Sequence, residues 1–227
     1  MIEELPQSNQ FRQQLRHSLQ QEALDSPTIT IAKNAQVYSR GDSDGLVYFI
    51  ESGQVKLLMF SPEDRECLLA IHTTGDIFGE LCLSGVGTRR ETATAMEETV
   101  LRQIPCPKFF ARLRRDALFV VGFVQYLAVR IADQHQVIAN LTTVDSEQRL
   151  GKTLLRLAQT LGEESKDGIR IESRITHEEL SEMVGTTRPR ISVFMQRFKT
   201  LGLVETDADH CLVIKEPELT AYLAQIA

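Results

Sequence analysis

The stretch from Thr176 to Val204 constrains this chain more than any other. It reads as two short helices joined at Gly185. Thr176 suits the N-cap of the first, Glu179 three residues on completes a capping box, and Ile175 and Leu180 stand where a hydrophobic staple closes. Leu180, Met183 and Val184 give this helix one apolar side. Gly185 can take the positive φ of a tight turn. Thr187 can cap the second helix, and Pro189 then falls in its first turn, where a missing N–H costs little.

The second helix has two faces. Ile191, Phe194, Met195 and Phe198 form a core stripe at helical spacing. Pro189, Ser192, Val193, Gln196 and Thr200 point the other way, with Arg188, Arg190, Arg197 and Lys199 around them. No acid occurs between Met183 and Val204. A capped helix, a glycine turn and a wholly basic second helix point to a helix-turn-helix, whose second helix enters the major groove. A helical hairpin with a solvated basic face is the alternative. Gly202 then ends the helix. Leu203-Val204-Glu205 and Cys211-Leu212-Val213-Ile214 read as two strands around residues 206–210, a wing behind the second helix.

At 227 residues the chain has room for one large domain or two small ones. No apolar run is long enough to span a bilayer, and the polar first 26 residues lack a signal-peptide core, so a cytoplasmic location is expected. The net charge of -6 does not exclude nucleic acid, because phosphate contacts need a local basic patch and not a basic chain. Cys67, Cys82, Cys106 and Cys211 have no metal-ligand spacing, and Cys67 and Cys82, set among apolar residues, read as small buried hydrophobes. No Ser/His/Asp or Cys/His arrangement stands out, and the five histidines are scattered, so no enzyme is expected.

Upstream, Phe11, Leu15 and Leu19 mark a short amphipathic helix within residues 7–24. Residues 28–70 read as short strands broken by turns at 40–45, 51–53 and 61–64, the rhythm of an all-β barrel or jelly roll. Residues 116–143 form the longest helical pattern. Val120, Val124, Leu127, Ile131, Gln134, Ile138 and Leu141 alternate at steps of four and three, a coiled-coil seam with Gln134 as its polar member. A hinge at 142–146, a helix at 147–161 and a polar loop at 162–168 follow. Ile169-Arg170-Ile171 and Arg174-Ile175 read as short strands, and Leu219, Tyr222 and Leu223 as a terminal helix.

The helix-turn-helix and wing resemble those of the CRP/FNR family of transcription regulators, through Val184-Gly185-Thr186-Thr187-Arg188 and Leu201-Gly202-Leu203-Val204. Gly75 to Leu83, the loop to Thr88–Ala95, and Gly53 are similar to the phosphate-binding cassette of the cyclic-nucleotide-binding jelly roll. The domain order matches over residues 25–225. The resemblance implies an α+β chain: a sensor jelly roll at 1–115, a dimerisation helix and hinge at 116–145, and a winged helix-turn-helix domain at 146–227. It implies a homodimer on a palindromic double-stranded DNA operator, RNA polymerase as a protein partner, and no membrane. Thr176, Thr187, Arg188, Pro189, Arg190, Ser192, Val193, Gln196, Arg197 and Lys199 would face DNA. A cyclic nucleotide or another small anionic effector would meet Gly79, Glu80, Leu81, Arg89, Arg90, Gln134 and His135, with Glu80 on the ribose and Arg89 on the phosphate.

The cassette departs from the family pattern. Arg90 and Glu91 stand where cyclic-AMP binders carry Ser or Thr and then Ala, and Gln134 and His135 where they carry hydroxyl side chains. A carboxylate beside a phosphate site is unfavourable unless it is paired or turned away. A different anionic molecule, or none, is therefore expected ahead of tight cyclic-AMP binding. A structural loop closed by a Glu80–Arg89 or Glu91–Arg90 pair is the competing reading of the cassette. A cyclic-nucleotide module without a DNA role is the competing reading of the chain.

Overall fold

The computed structural model describes residues 11–13, 15–17, 26–61, 66–85 and 87–226. The chain divides into two compact units within a long helix, between His135 and Gln136. In the first unit, strands β1 (Thr28–Ile31), β3 (Leu46–Ser52), β6 (Ile77–Phe78) and β8 (Thr99–Pro105) form one sheet in the order β1-β8-β3-β6. Strands β2 (Gln36–Tyr38), β4 (Val55–Phe60), β5 (Glu66–His72) and β7 (Thr92–Ala95) form the other, in the order β2-β7-β4-β5. This is the expected jelly roll. Residues 62–64 of the expected turn and the helical residue Leu19 lie outside the described residues.

Strand β3 shows why the two sheets close. Successive side chains leave a strand on opposite faces. Tyr48 and Ile50 join Tyr38, Val55, Leu57, Phe78, Ala93 and Leu101 in the core between the sheets. Val47 and Phe49 point outward, where helices cover them. Those helices are α1 (Cys106–Arg115) and α2 (Ala117–Thr143), which bring Phe109, Phe119, Phe123 and Tyr126, while Phe11 and Leu15 arrive from upstream. Being buried on both faces, β3 is a near-continuous apolar run.

A buried ionic group ties this layer together. The Asp76 carboxylate accepts from the Thr73 N–H at 2.9 Å, and it lies 2.6 Å from the Arg12 guanidinium and 3.7 Å from His72 Nδ1. Burial opposes its charge, but His72 and Arg12 override burial and hold the carboxyl down to about 2. A carboxyl lowered in the folded state stabilises the fold above its unfolded pKa and loses that contribution as pH falls toward the folded value. The sensor unit is therefore expected to lose about 2 kcal/mol of stability between roughly pH 4 and pH 2 through this one group. Asp76→Asn should be less stable at pH 7 and should lack that acid-dependent step. Urea unfolding at several pH values checks it, and parallel pH profiles for the two proteins would refute it.

The second unit takes in the end of α2 from Gln136 and then α3 (Ser146–Leu161), capped by the Asp145 carboxylate, which accepts from the N–H groups of Glu147 and Gln148. Strands β9 (Gly162–Ser165), β10 (Gly168–Ile171), β11 (Val204–Thr206) and β12 (Leu212–Ile214) make a sheet in the order β11-β12-β10-β9. Two expectations are corrected here. Residues 162–165 are a strand and not a loop, because they pair antiparallel with β10. Arg174 and Ile175 lie outside any strand, because the chain leaves the sheet there to enter the next helix. Helices α4 (His177–Val184), α5 (Arg188–Thr200) and α6 (Glu216–Gln225) complete the unit.

By length and composition alone, α2 would also pass for a membrane span, contrary to the sequence expectation. Its apolar residues serve two separate faces. Phe119, Gly122, Phe123 and Tyr126 pack on the barrel, while Val124, Ile131, Ile138 and Leu141 are exposed.

Candidate nucleic-acid interface and sensor cleft

Local chemistry sets the angle between α4 and α5. The capping box is present: Thr176 Oγ1 accepts from the Glu179 N–H at 3.1 Å, and Glu179 Oε2 accepts from the Thr176 N–H at 2.9 Å. Gly185 takes φ 66° and ends α4. Arg149, which the sequence reading missed, clamps this turn from α3 by donating from Nε to the Val184 carbonyl at 2.9 Å. A guanidinium there satisfies the open carbonyls of a helix C-terminus. Thr187 holds the N-cap position of α5, but its side chain makes no capping bond, which corrects the expected role. The residue is exposed.

The two faces of α5 separate as expected. Ile191, Met195 and Phe198 are buried, and Phe194 is half-buried. Phe198 meets the Tyr222 ring edge-on, with centroids 5.8 Å apart. Thr187, Arg188, Pro189, Arg190, Ser192, Val193, Gln196, Arg197 and Lys199 are all exposed, as is Thr176. Besides Thr176 in its capping box, Ser192 and Arg197 are partly engaged. Ser192 Oγ lies 2.9 Å from His177 Nδ1. Arg197 donates to Glu147 Oε2 at 3.0 Å and lies over the Tyr222 ring, so it faces α3 as much as solvent. Arg188 has only a loose contact, 3.9 Å from Glu178. Burial, then Lys199 and Arg188, push His177 below its usual range.

The wing carries acids at its tip, but they are locked. Arg170 donates to Asp207 at 2.6 Å and to Asp209 at 3.2 Å, and Arg174 donates to the Asp209 carbonyl. The tip residues 207–210 include no Lys or Arg, whereas α5 carries four exposed basic side chains.

In the first unit, Gly79 takes φ 76° and opens a short 3-10 turn over Glu80–Ser84. A Cβ at Gly79 would stand 2.6 Å from Arg89 Nη1 and 3.1 Å from the Leu46 carbonyl oxygen, so only glycine fits. Beside this turn lies a cleft of about 140 Å³ lined by Asp42, Asp44, Gly45, Leu81, Cys82, Thr88, Arg89 and Cys106. Clefts that hold drug-sized ligands enclose roughly 300–1,000 Å³.

Arg89 is not an open phosphate clamp. Its side chain is 4% exposed. It donates to Asp44 Oδ1 at 2.5 Å, to the Leu46 carbonyl at 2.6 Å and to the Gly79 carbonyl at 2.8 Å, and stacks 4.0 Å over the Tyr38 ring. Neither pair expected as the alternative, Glu80–Arg89 or Glu91–Arg90, is formed, because each charged group finds another partner or solvent. Arg89 pairs with Asp44, and Glu80 pairs with Arg130 of α2 at 3.0 Å. Glu91 is buried and accepts from the Tyr38 hydroxyl at 2.9 Å, while Arg90 points to solvent. Burial, then the Glu91 carboxylate, push the Tyr38 hydroxyl far above its usual range, so it remains a donor. Leu81 is exposed at the cleft, whereas Gln134 and His135 are exposed on α2 and do not line it.

The cysteines differ from expectation. Cys82 and Cys106 are joined in a disulfide, and Cys67 is exposed. The folding of β8 back beside the cassette brings the pair together, which no local spacing reveals. Among the described residues no group of three His, Cys, Asp or Glu side chains is placed to hold a metal.

Residues 28–116 match the model of the cyclic nucleotide-binding domain, and residues 148–222 match that of the Crp-like helix-turn-helix domain. The chain belongs to the CRP/FNR family of transcription regulators. Among its relatives is a CRP-like cAMP-activated global transcriptional regulator from Mycobacterium tuberculosis, 27% identical over 177 residues, 78% of this chain and 79% of that protein. A global nitrogen regulator from Synechocystis sp. is 28% identical over 166 residues, 72% of this chain and 73% of that protein. A mutant of CooA from Carboxydothermus hydrogenoformans superposes with a TM-score of 0.72 at 27% identity, covering 87% of this chain and 88% of that one. As a CRP/FNR member with this helix-turn-helix, the chain is a DNA-binding transcription regulator.

Proposed function

We propose that this regulator acts as a homodimer in the cytoplasm, joined along α2, and that it places two copies of α5 in successive major grooves of a palindromic operator. The observation that carries the reading is the exposed basic face of α5 together with the exposed apolar residues of α2. Val124, Ile131 and Ile138 are each more than half exposed on a helix whose other face is buried. An apolar seam at heptad spacing is covered by a second copy of itself. Two recognition helices related by a two-fold axis read half-sites about 34 Å apart. RNA polymerase is the protein partner this reading assigns, as the machine whose recruitment a DNA-bound regulator alters.

Arg188 stands at the N-terminal end of α5, the end that meets base edges, and we assign it a guanine. Arg190 and Lys199 hold phosphates. Arg188→Ala should cost about 1–3 kcal/mol and relax sequence choice at one base pair. Arg190→Ala or Lys199→Ala should weaken all sites alike and lower the salt slope by about one unit. Pro189 and Val193 cannot hydrogen-bond bases through their side chains, so the operator differs from that of the cyclic-AMP receptor. Selection from a random DNA pool, with wild type and Arg188→Ala, tests this. An unchanged consensus in the variant, or the cyclic-AMP receptor's own site, would refute it.

Relatives at 27% and 28% identity are named for cyclic-AMP activation and for nitrogen regulation, so likeness does not choose an effector. The engagement of Arg89 by Asp44 supports a sensor domain that does not bind cyclic AMP tightly.

A further inference from the structure

We propose that Cys82 and Cys106 form a thiol–disulfide exchange site in the sensor cleft, whose reactants are low-molecular-weight thiols and disulfides of the glutathione type. This rests on the DNA-binding reading, since DNA is kept in a compartment that thiol buffers hold reducing. A disulfide formed there is transient, catalytic or redox-sensing. Cys82 and Cys106 are bonded across a separation of 24 residues. Both are half-buried and both line the cleft, so a small thiol reaches the bond from solvent.

The surroundings of each sulfur suit exchange. Cys106 is the first residue of α1, a ten-residue helix. Its own N–H donates to the Gly45 carbonyl and Pro107 has none, so the helix dipole alone favours a thiolate at this end, which makes Cys106 the better leaving sulfur. Cys82 Sγ lies 3.6 Å from the Leu46 carbonyl oxygen, an acceptor for its S–H once the bond opens. In the reducing direction a small thiolate attacks Cys82 Sγ, the Cys82–Cys106 bond breaks, and Cys106 departs as the thiolate. A second small thiolate attacks the small-molecule sulfur of the mixed disulfide, releasing the small disulfide and the Cys82 thiolate. Two electrons pass from the two small thiols to the two cysteines, and the two thiol protons end on Cys82 and Cys106. The small disulfide drives the reverse reaction.

The bond is placed to transmit its state. Cys82 belongs to the short turn Glu80–Ser84, and Glu80 at the start of that turn pairs with Arg130 of α2 at 3.0 Å. Closed, the bond fastens this turn to α1. Open, it leaves the turn held by the Glu80–Arg130 pair and by packing, so the hold of the cassette on α2 changes with the redox state.

The test uses the full chain equilibrated with glutathione at increasing fractions of oxidised glutathione, then alkylated and weighed by mass spectrometry. Cys82 and Cys106 should convert together and reversibly. Amide exchange over residues 79–91 should be several-fold faster in the reduced protein. Affinity for the selected operator should differ at least about fivefold between the two states. Cys82→Ser should erase the difference, and Cys67→Ser should keep it. A bond that never forms, one that persists in excess reduced glutathione, or two states with equal amide exchange and equal operator affinity would overturn the proposal. If neither state selects any DNA, the DNA-binding reading fails, and thiol pairing with amide exchange still decides the exchange site.

Discussion

Ile131→Asp is expected to convert the regulator from a dimer into a monomer. Ile131 is 55% exposed, and it sits near the middle of the α2 seam between Val124 and Ile138. In a two-fold dimer the same residue of both chains approaches the axis, so one substitution sets two carboxylates into one apolar interface. Each must shed water without a cation in return, at a cost of several kcal/mol per ion. The protomer itself should keep its stability, because Ile131 contributes little to the protomer's core. DNA affinity should fall by about 10²–10⁴-fold, since the second recognition helix no longer binds at the high effective concentration set by the first. Sedimentation velocity reads the assembly, and fluorescence anisotropy on the selected operator reads the affinity. A variant that still sediments as a dimer would show that the seam lies elsewhere.

What could be read in the sequence follows the range of the interactions. The capping box at Thr176 and Glu179, the positive φ of Gly185 and the buried stripe of α5 are set within a few residues of one another, so their signals lie side by side in the chain. The apolar runs of β3 and β4 are equally local. The long helix was legible from its periodicity, though Leu127 of the expected seam packs against the barrel core and is only half-buried there.

The contacts that were missed are long-range. Arg149 reaches the Val184 carbonyl across 35 residues, and Asp44 meets Arg89 across 45. Strand β9 reads Gly-Glu-Glu-Ser, which has no apolar alternation, and it is a strand only because β10 pairs with it at the sheet edge. The cassette is the instructive case. Its glycines, its carboxylate and its arginine were all legible, but their partners were not. A motif names the side chains that could meet a ligand, while burial and pairing decide which of them are already spoken for.

Arg89→Ala separates those two possibilities. If Arg89 waited for a phosphate, removing it would cost little stability and only ligand affinity would fall. In this fold its guanidinium answers one carboxylate and two backbone carbonyls and stacks on Tyr38, all within a side chain that is 4% exposed. Truncation leaves Asp44 without its counter-ion and the Leu46 and Gly79 carbonyls without this donor. Breaking a buried ion pair from one side costs about 3–5 kcal/mol, a large share of the roughly 5–15 kcal/mol that holds a domain folded. Arg89→Lys should recover only part of the loss, because an ammonium cannot reproduce the planar fork that reaches three acceptors. Urea unfolding followed by tyrosine emission suits the test, since the chain has no tryptophan and three of its four tyrosines, Tyr38, Tyr48 and Tyr126, lie in the first compact unit. Titration calorimetry of the wild type with cyclic AMP completes it. A phosphate must displace Asp44 to reach Arg89 Nη2, so no heat of binding is expected at micromolar nucleotide. Unchanged stability in Arg89→Ala together with micromolar cyclic-AMP binding by the wild type would mean that Asp44 merely occupies the seat of a nucleotide phosphate.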